Sequence, residues 1–315
     1  MAKVTPGGRL QQNKLLRSMC RARSRGVPLQ YIIGDQPFGD LQILCRRNVL
    51  IPRAETESFT VHASKLILKR LDEHPEVTNP QPLRILDLCS GTGAIALLLH
   101  ALLANKIKQM TILGIDISST AVTLASKNLE HNLHHGFLLD RARTEVHFRQ
   151  GNVLSNHDSN FPHVDKVLHE FPGFCNQSGL GCDVLISNPP YIAPNSFWDG
   201  TTGRSVRIYE PKLALVPSLE TDANMEEHIR QEDVFYHDIF QSAMRLGAKL
   251  IVFECGSYAQ ACRVVGICED IAGACARREE LAFHIVSSSG LEPGTHISGS
   301  GPCAIIIERS MASEA

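Results

Sequence analysis

The chain has 315 residues, 43% of them hydrophobic, enough to bury one large α/β core or two modest ones. Its 31 Lys and Arg against 33 Asp and Glu leave a formal net charge of −2, so no direct nucleic-acid partner is expected without a local basic patch. Ten cysteines with no CxxC pair argue for a reducing compartment and against a structural zinc, and the longest apolar run, Ala94 to Ala104, is too short to span a membrane.

The first 34 residues carry seven basic side chains and no acidic one. That bias suits a mitochondrial presequence, and equally a solvated basic helix from Leu10 to about Arg25; residence in mitochondria is the expectation, with the cytoplasm as the other choice. Pro28 to Glu57 reads as turns and short strands, with apolar stretches at Leu41–Leu44 and Val49–Ile51 between Gly34, Pro37, Gly39 and Pro52. A helix is expected from about Thr56 to Asp72. Beyond it, strand-like runs at Arg84–Leu88, Thr111–Ile115, Glu145–Arg149, Val184–Ser187 and Lys249–Glu254 alternate with helical stretches at Gly93–Asn105, Ser119–Asn132, within Glu227–Leu246, and from Tyr258 to about Cys275. Alternation of this kind signals a parallel sheet with crossover helices. Two more strands, Ala282–Ser287 and Cys303–Glu308, complete a seven-stranded doubly wound sheet whose last pair forms a hairpin. Ser155–Cys182 reads as an irregular insertion; its His157, His163 and His169 are more simply solvated loop histidines than a metal site, and no metal is expected.

The segment Arg84-Ile-Leu-Asp-Leu-Cys-Ser-Gly-Thr-Gly93 is a buried strand running into a glycine loop and then a helix. Gly91 and Gly93 lack a Cβ and the helix N-terminus offers free N–H groups, so a ligand can approach the backbone closely. The next strand ends in Asp116, whose carboxylate can accept from both ribose hydroxyls of an adenosine or, alternatively, cap the helix that starts near Ser118. The loop lacks the G-x-G-x-x-G of dinucleotide binders and with it a pyrophosphate seat, which favours S-adenosyl-L-methionine over NAD. Asn152 follows the third strand, where it would meet the adenine or simply form a turn after Gly151.

Val184–Ser187 stops abruptly at Asn188-Pro189-Pro190-Tyr191. Two consecutive prolines neither continue a strand nor begin an ordinary helical turn, so carbonyl acceptors are left pointing into a cleft, with an aromatic ring beside them. An amide nitrogen is a poor nucleophile because its lone pair is delocalised; it needs orientation more than a strong base. Asn188 Oδ1 and the Pro189 carbonyl can each accept one N–H and stabilise the positive charge that builds on the nitrogen, with Tyr191 packed on the planar acceptor. A rigid turn at a strand end is the plainer account of the same residues.

Taken together the sequence resembles the HemK/PrmC-type N5-glutamine methyltransferases. The resemblance rests on the glycine loop and Asn188–Tyr191, on Pro28-Leu-Gln-Tyr-Ile-Ile-Gly34 and Val49-Leu-Ile-Pro-Arg-Ala-Glu-Thr-Glu57, and on Tyr209-Glu-Pro-Lys-Leu-Ala-Leu215 and Phe253-Glu-Cys-Gly256. It implies an α/β, Rossmann-like class I methyltransferase sheet of seven strands behind a short N-terminal helix and hairpin region. Expected divisions are a basic segment at 1–27, a hairpin linker at 28–57 and a catalytic domain at 58–315. It further implies that S-adenosyl-L-methionine contacts Asp87, Ser90, Gly91, Thr92, Gly93, Ala94, Asp116, Asn152, Val153 and Asn188. Catalysis and acceptor binding would fall to Asn188, Pro189, Pro190 and Tyr191, and the partner would be a peptide-chain release factor bearing Gly-Gly-Gln. Ala54 stands where the family usually has proline, Asn152 where an acidic residue is common, and 27 residues precede Pro28 where bacterial members have a domain of several helices. Asn-Pro-Pro-Tyr is shared with enzymes that methylate adenine N6 or cytosine N4, which makes a nucleic-acid methyltransferase the competing enzyme and an inactive cofactor-binding scaffold the competing non-enzyme.

Overall fold

The computed structural model describes residues 6–73, 82–154, 160–176, 179–218, 229–274, 281–288 and 301–309. Strands β1 (Asp35–Phe38) and β2 (Leu41–Leu44) pair as a separate antiparallel hairpin. Then come β3 (Leu83–Leu88), β4 (Met110–Asp116) and β5 (Val146–Gln150), a small ribbon of β6 (Cys175–Asn176) and β7 (Gly179–Leu180), and finally β8 (Val184–Ser187), β9 (Leu250–Cys255), β10 (Leu281–Ser287) and β11 (Cys303–Arg309). The main sheet has seven strands, as the alternation of apolar runs led us to expect, and their order is β10-β11-β9-β8-β3-β4-β5. β11 is antiparallel to both its neighbours, and the pairings from β9 to β5 are parallel.

The helices are α1 (Pro6–Ser24), α2 (Leu29–Ile33), α3 (Ala54–Glu73), α4 (Ala94–Leu103), α5 (Ser119–His134), α6 (Ala142–Glu145), α7 (Val164–His169), α8 (Pro194–Trp198), α9 (Arg204–Tyr209), α10 (Val234–Arg245) and α11 (Tyr258–Ala274). They cover the sheet on both faces. Ile85 of β3 joins a core with Phe59 of α3 and Leu97 of α4, while Leu86 and Leu88 point the other way, into a core with Phe240 of α10 and Val264 of α11. Strands buried on both faces must be apolar throughout, which is why their sequences read as continuous runs.

Several elements depart from the sequence expectation. Val49–Ile51 is not a strand: Asn48 at φ 67° and Pro52 break the path, and side chains take the place of ladder partners. The Tyr31 hydroxyl donates to the Val49 carbonyl at 2.7 Å, and the Ile51 N–H donates to Glu210 Oε2 at 3.1 Å. Helices α2 and α6 to α9 were too short to show a period. The insertion holds α7, capped where His163 Nδ1 accepts from the Asp165 N–H at 3.3 Å; His157 lies outside the described residues. No described helix is long and apolar enough to cross a membrane.

The β1–β2 hairpin is fastened to the domain by two asparagines one turn apart on α5. Asn128 Oδ1 accepts from the Leu44 N–H at 2.7 Å, and its Nδ2 donates to the carbonyls of Leu44 and Thr92. Asn132 Oδ1 accepts from the Gln42 N–H at 3.0 Å, and its Nδ2 donates to the Gln42 carbonyl at 3.0 Å. The two carboxamides thus stand in for a neighbouring strand along the outer edge of β2, and both are fully buried. Asn128→Ala leaves those backbone groups unpaired, and we expect it to cost about 2–4 kcal/mol of unfolding free energy in urea denaturation, against under about 0.5 kcal/mol for Ser126→Ala on the exposed face.

Candidate active site

The chain lays down β3, β4 and β5 outward on one side and then returns to place β8 on the other side of β3. Such a reversal opens a crevice at the carboxyl ends of the strands. The Ser187 hydroxyl donates to the Leu88 carbonyl at 2.8 Å and holds the two strand ends together. A cleft of about 850 Å³, counted out to its mouth, lies there.

Of the residues expected to touch cofactor or acceptor, Gly91, Asp116, Asn152, Val153, Asn188 and Pro190 line this cleft. Asp87, Ser90, Thr92, Gly93 and Ala94 do not contribute to its lining; neither do Pro189 and Tyr191. Asp87 is fully buried beneath the loop and neither carboxylate oxygen makes a hydrogen bond. Burial pushes its carboxyl well above the usual carboxylate range, against the pull of the Ala96 N–H at the start of α4. The loop is shaped from within: a Cβ on Gly93, at φ +76°, would stand 2.6 Å from Phe148. Gly91, at φ +54°, is the opposite case, since a Cβ there would meet nothing within 4 Å and would project into open space.

Asp116 does not cap α5; Ser118 does, accepting from the Ala121 N–H at 3.3 Å. The Asp116 carboxylate instead accepts from the Gly91 N–H through Oδ2 and the Ser118 N–H through Oδ1, both at 2.8 Å. Burial raises its pKa, with those two N–H groups opposing the shift. A half-buried carboxylate with lone pairs left over favours hydroxyl donors from the cleft. Asn152 forms a turn, its Oδ1 accepting from the Leu154 N–H at 3.1 Å, and it is also part of the wall.

Asn188 Nδ2 donates to Thr56 Oγ1 at 3.1 Å. Tyr191 is clamped on three sides: its hydroxyl donates to Glu254 Oε1 at 3.3 Å, its carbonyl accepts from Gln260 Nε2 at 3.2 Å, and its ring lies 3.0 Å from where a Cβ on Gly256 would sit. Arg53 Nη2 meets Glu210 Oε1 at 2.7 Å, tying the stretch before α3 to the stretch after α9. The glycine loop, Asn188–Tyr191, Val49–Glu57 and Tyr209–Leu215 each contribute to the lining of this cleft, while Pro28–Gly34 and Phe253–Gly256 reach it only indirectly, through Tyr31 on Val49 and Glu254 on Tyr191.

Over residues 60–202 the chain matches the family described as Methyltransferase small domain. It is 35% identical over 266 residues to the probable MRF1 mitochondrial N(5)-glutamine methyltransferase mtq1 of Schizosaccharomyces pombe, an alignment covering 82% of this chain and 72% of that protein. This chain belongs to the release factor glutamine methyltransferase family. To the mitochondrial MRF1 N(5)-glutamine methyltransferase MTQ1 of Saccharomyces cerevisiae it is 35% identical, covering 73% of this chain and 63% of that protein. Among solved structures, the hMettl16 catalytic domain in complex with a MAT2A 3'UTR hairpin superposes with a TM-score of 0.50 at 15% identity, over 90% of this chain and 82% of that one, and shares the fold.

Within the cleft of this family member, several lining residues carried no local signal in the sequence. Asn48, Val49 and Leu50 come from the hairpin region, Pro211, Leu213 and Ala214 from the stretch after α9, and Phe235 from α10. The first two groups fall in or beside stretches that carried the resemblance, which was the signal that could have found them; Phe235 had none. Cys89 also lines the cleft, at φ 62°, a region that costs an L-residue about 1–2 kcal/mol. Among the described residues no three His, Cys, Asp or Glu side chains gather to hold a metal.

Glu254 is 4% exposed at the end of β9, and burial pushes its carboxyl up to about 7. A carboxyl raised in the folded state stabilises the fold below its unfolded value near 4.5, and that stability is lost as pH rises through about 7. Glu254→Gln stays neutral throughout. We expect the variant to gain on the wild type by on the order of 3 kcal/mol between pH 5 and pH 8, read from melting curves at the two pH values. A difference that does not change with pH would contradict this.

Proposed function

We propose that this chain transfers a methyl group from S-adenosyl-L-methionine to the side-chain amide nitrogen of the glutamine in the Gly-Gly-Gln of a peptide-chain release factor, in mitochondria. The observation that carries the reading is that Asn188 lines the same cleft as Gly91 and Asp116 in a chain of this family. The space over Gly91 and the acceptor capacity of Asp116 fit the cofactor: the first would leave room for it beside the loop, and the second would accept from its ribose hydroxyls. When bound, the cofactor supplies an electrophilic methyl group on sulfur.

Asn188 Oδ1 and the Pro189 carbonyl accept the two N–H bonds of the glutamine amide and aim its nitrogen into the cleft. Transfer would form the nitrogen–carbon bond as the carbon–sulfur bond breaks, leaving the sulfur a neutral thioether and the nitrogen cationic, and that strongly acidic N–H would pass its proton to solvent water. The same two oxygens, fixed before the reaction begins, stabilise that charge. Tyr191 stands behind the lining and anchors the loop, its hydroxyl on Glu254 Oε1 and its carbonyl on Gln260. The basic α1 and the mitochondrial relatives support residence in that organelle, and the relatives' names support a protein acceptor. Nucleic-acid methylation is supported by a likeness of fold and by the shared Asn-Pro-Pro-Tyr, neither of which selects an acceptor.

Incubation with methyl-labelled S-adenosyl-L-methionine and a mitochondrial release factor should label wild-type Gly-Gly-Gln and not Gly-Gly-Ala; label on both or neither would sink the reading. In the same assay Asn188→Ala should lower kcat by about 10²–10³-fold with cofactor affinity largely intact. Asp116→Ala and Gly91→Ala should instead weaken cofactor binding, by about tenfold or more, as one lost charge-assisted contact or one intruding methyl would do. Isothermal titration with the cofactor separates the two classes.

A further inference from the structure

A carboxamide has an acceptor end and a donor end, and a half-turn about its last bond exchanges them. If the Asn188 amide were turned, its N–H₂ would face the N–H₂ of an incoming glutamine, donor against donor. The group that decides its orientation is Thr56, which lies 132 residues away in sequence, in the first turn of α3. Thr56 is 6% exposed, and its Oγ1 receives Asn188 Nδ2 at 3.1 Å.

A hydroxyl that accepts from Asn188 must send its own proton elsewhere. Glu254 is the acidic group within reach of both hydroxyls: Thr56 and Tyr191 together hold its carboxyl down against burial. Tyr191 donates to Oε1 at 3.3 Å, while Oε2 is buried and makes no hydrogen bond, so the carboxyl has acceptor capacity to spare. β9 thus presents one carboxyl between the two ends of the Asn188–Tyr191 loop.

We propose that Thr56 and Glu254 are positioning residues for methyl transfer, Thr56 fixing the Asn188 carboxamide with Oδ1 toward the acceptor and Glu254 joining the Thr56 and Tyr191 hydroxyls into one network. The inference rests on the role given to Asn188 above. Neither residue touches the reacting atoms. Thr56→Val keeps the shape and removes the hydroxyl; Thr56→Ser keeps the hydroxyl. Glu254→Gln offers a new N–H to Thr56 Oγ1, which competes with Asn188 Nδ2 for the same oxygen.

The test pairs kinetics with a readout that needs no turnover. In methyl-transfer assays on the Gly-Gly-Gln release factor, Thr56→Val and Glu254→Gln should lower kcat by about 10- to 100-fold, as a misaimed acceptor would, with KM for the release factor and cofactor affinity within about twofold of wild type. Thr56→Ser should recover to within about threefold. Independently, the Asn188 side-chain amide, assigned in nitrogen-15 spectra by its loss in Asn188→Asp, should show one slowly exchanging proton in the wild type and in Thr56→Ser, and none in Thr56→Val. Unchanged Asn188 exchange in Thr56→Val overturns the proposal whatever the kinetics. Absence of transfer by the wild type would instead count against the proposed acceptor, and the exchange measurement would still decide the network.

Discussion

The site depends on a single constraint of connectivity: having built the sheet outward from β3 to β5, the chain must come back to lay β8 against the free side of β3. At that reversal, the connections leaving β3 and β8 diverge to opposite faces of the sheet, and the space between their carboxyl ends stays open. What fills the walls of that opening is then dictated locally. β3 ends in a glycine loop held by Asp116 through the Gly91 N–H, and β8 ends in prolines that stop the strand at once. The two halves of the chemistry, a place for a cofactor and a place for an acceptor, are adjacent because β3 and β8 are adjacent.

The walls are closed by parts of the chain far from these strands. The hairpin β1–β2 reaches the domain through Asn128 and Asn132, and the segment beyond it brings Asn48 to Leu50 to the cleft and Thr56 to Asn188. Arg53 and Glu210 lock that segment to the stretch that follows α9. Burial makes these few polar contacts directional: each would be a liability if unpaired, and together they leave one arrangement of the loop that holds Asn188 and Tyr191. The hairpin region is therefore part of the site and not merely a lead-in to it.

A structural likeness at 15% identity to a domain solved with an RNA hairpin shows how widely this sheet is used, and a fold alone does not select a substrate. The likeness to a mitochondrial glutamine methyltransferase, 35% identity over 266 residues, goes well beyond a shared fold.

The sequence by itself determined the seven strands and the alternating helices, because a strand buried on both faces must be apolar along its whole length and a crossover helix needs its own period. It also singled out Gly91, Asp116 and Asn188, residues whose chemistry is local to a turn. It misread Val49–Ile51 as a strand, since apolar composition cannot tell a ladder partner from a side-chain partner such as Glu210, and it attached Asp87 and Ser90 to a cleft they lie outside. Only the tertiary structure decided that Ser118 rather than Asp116 caps α5, that Thr56 meets Asn188, and that Glu254 meets Tyr191. The last two pairings join residues 132 and 63 positions apart, and no local pattern encodes them. They exist because the packing of α3 and β9 around the end of β8 removes water from polar groups that must then find one another.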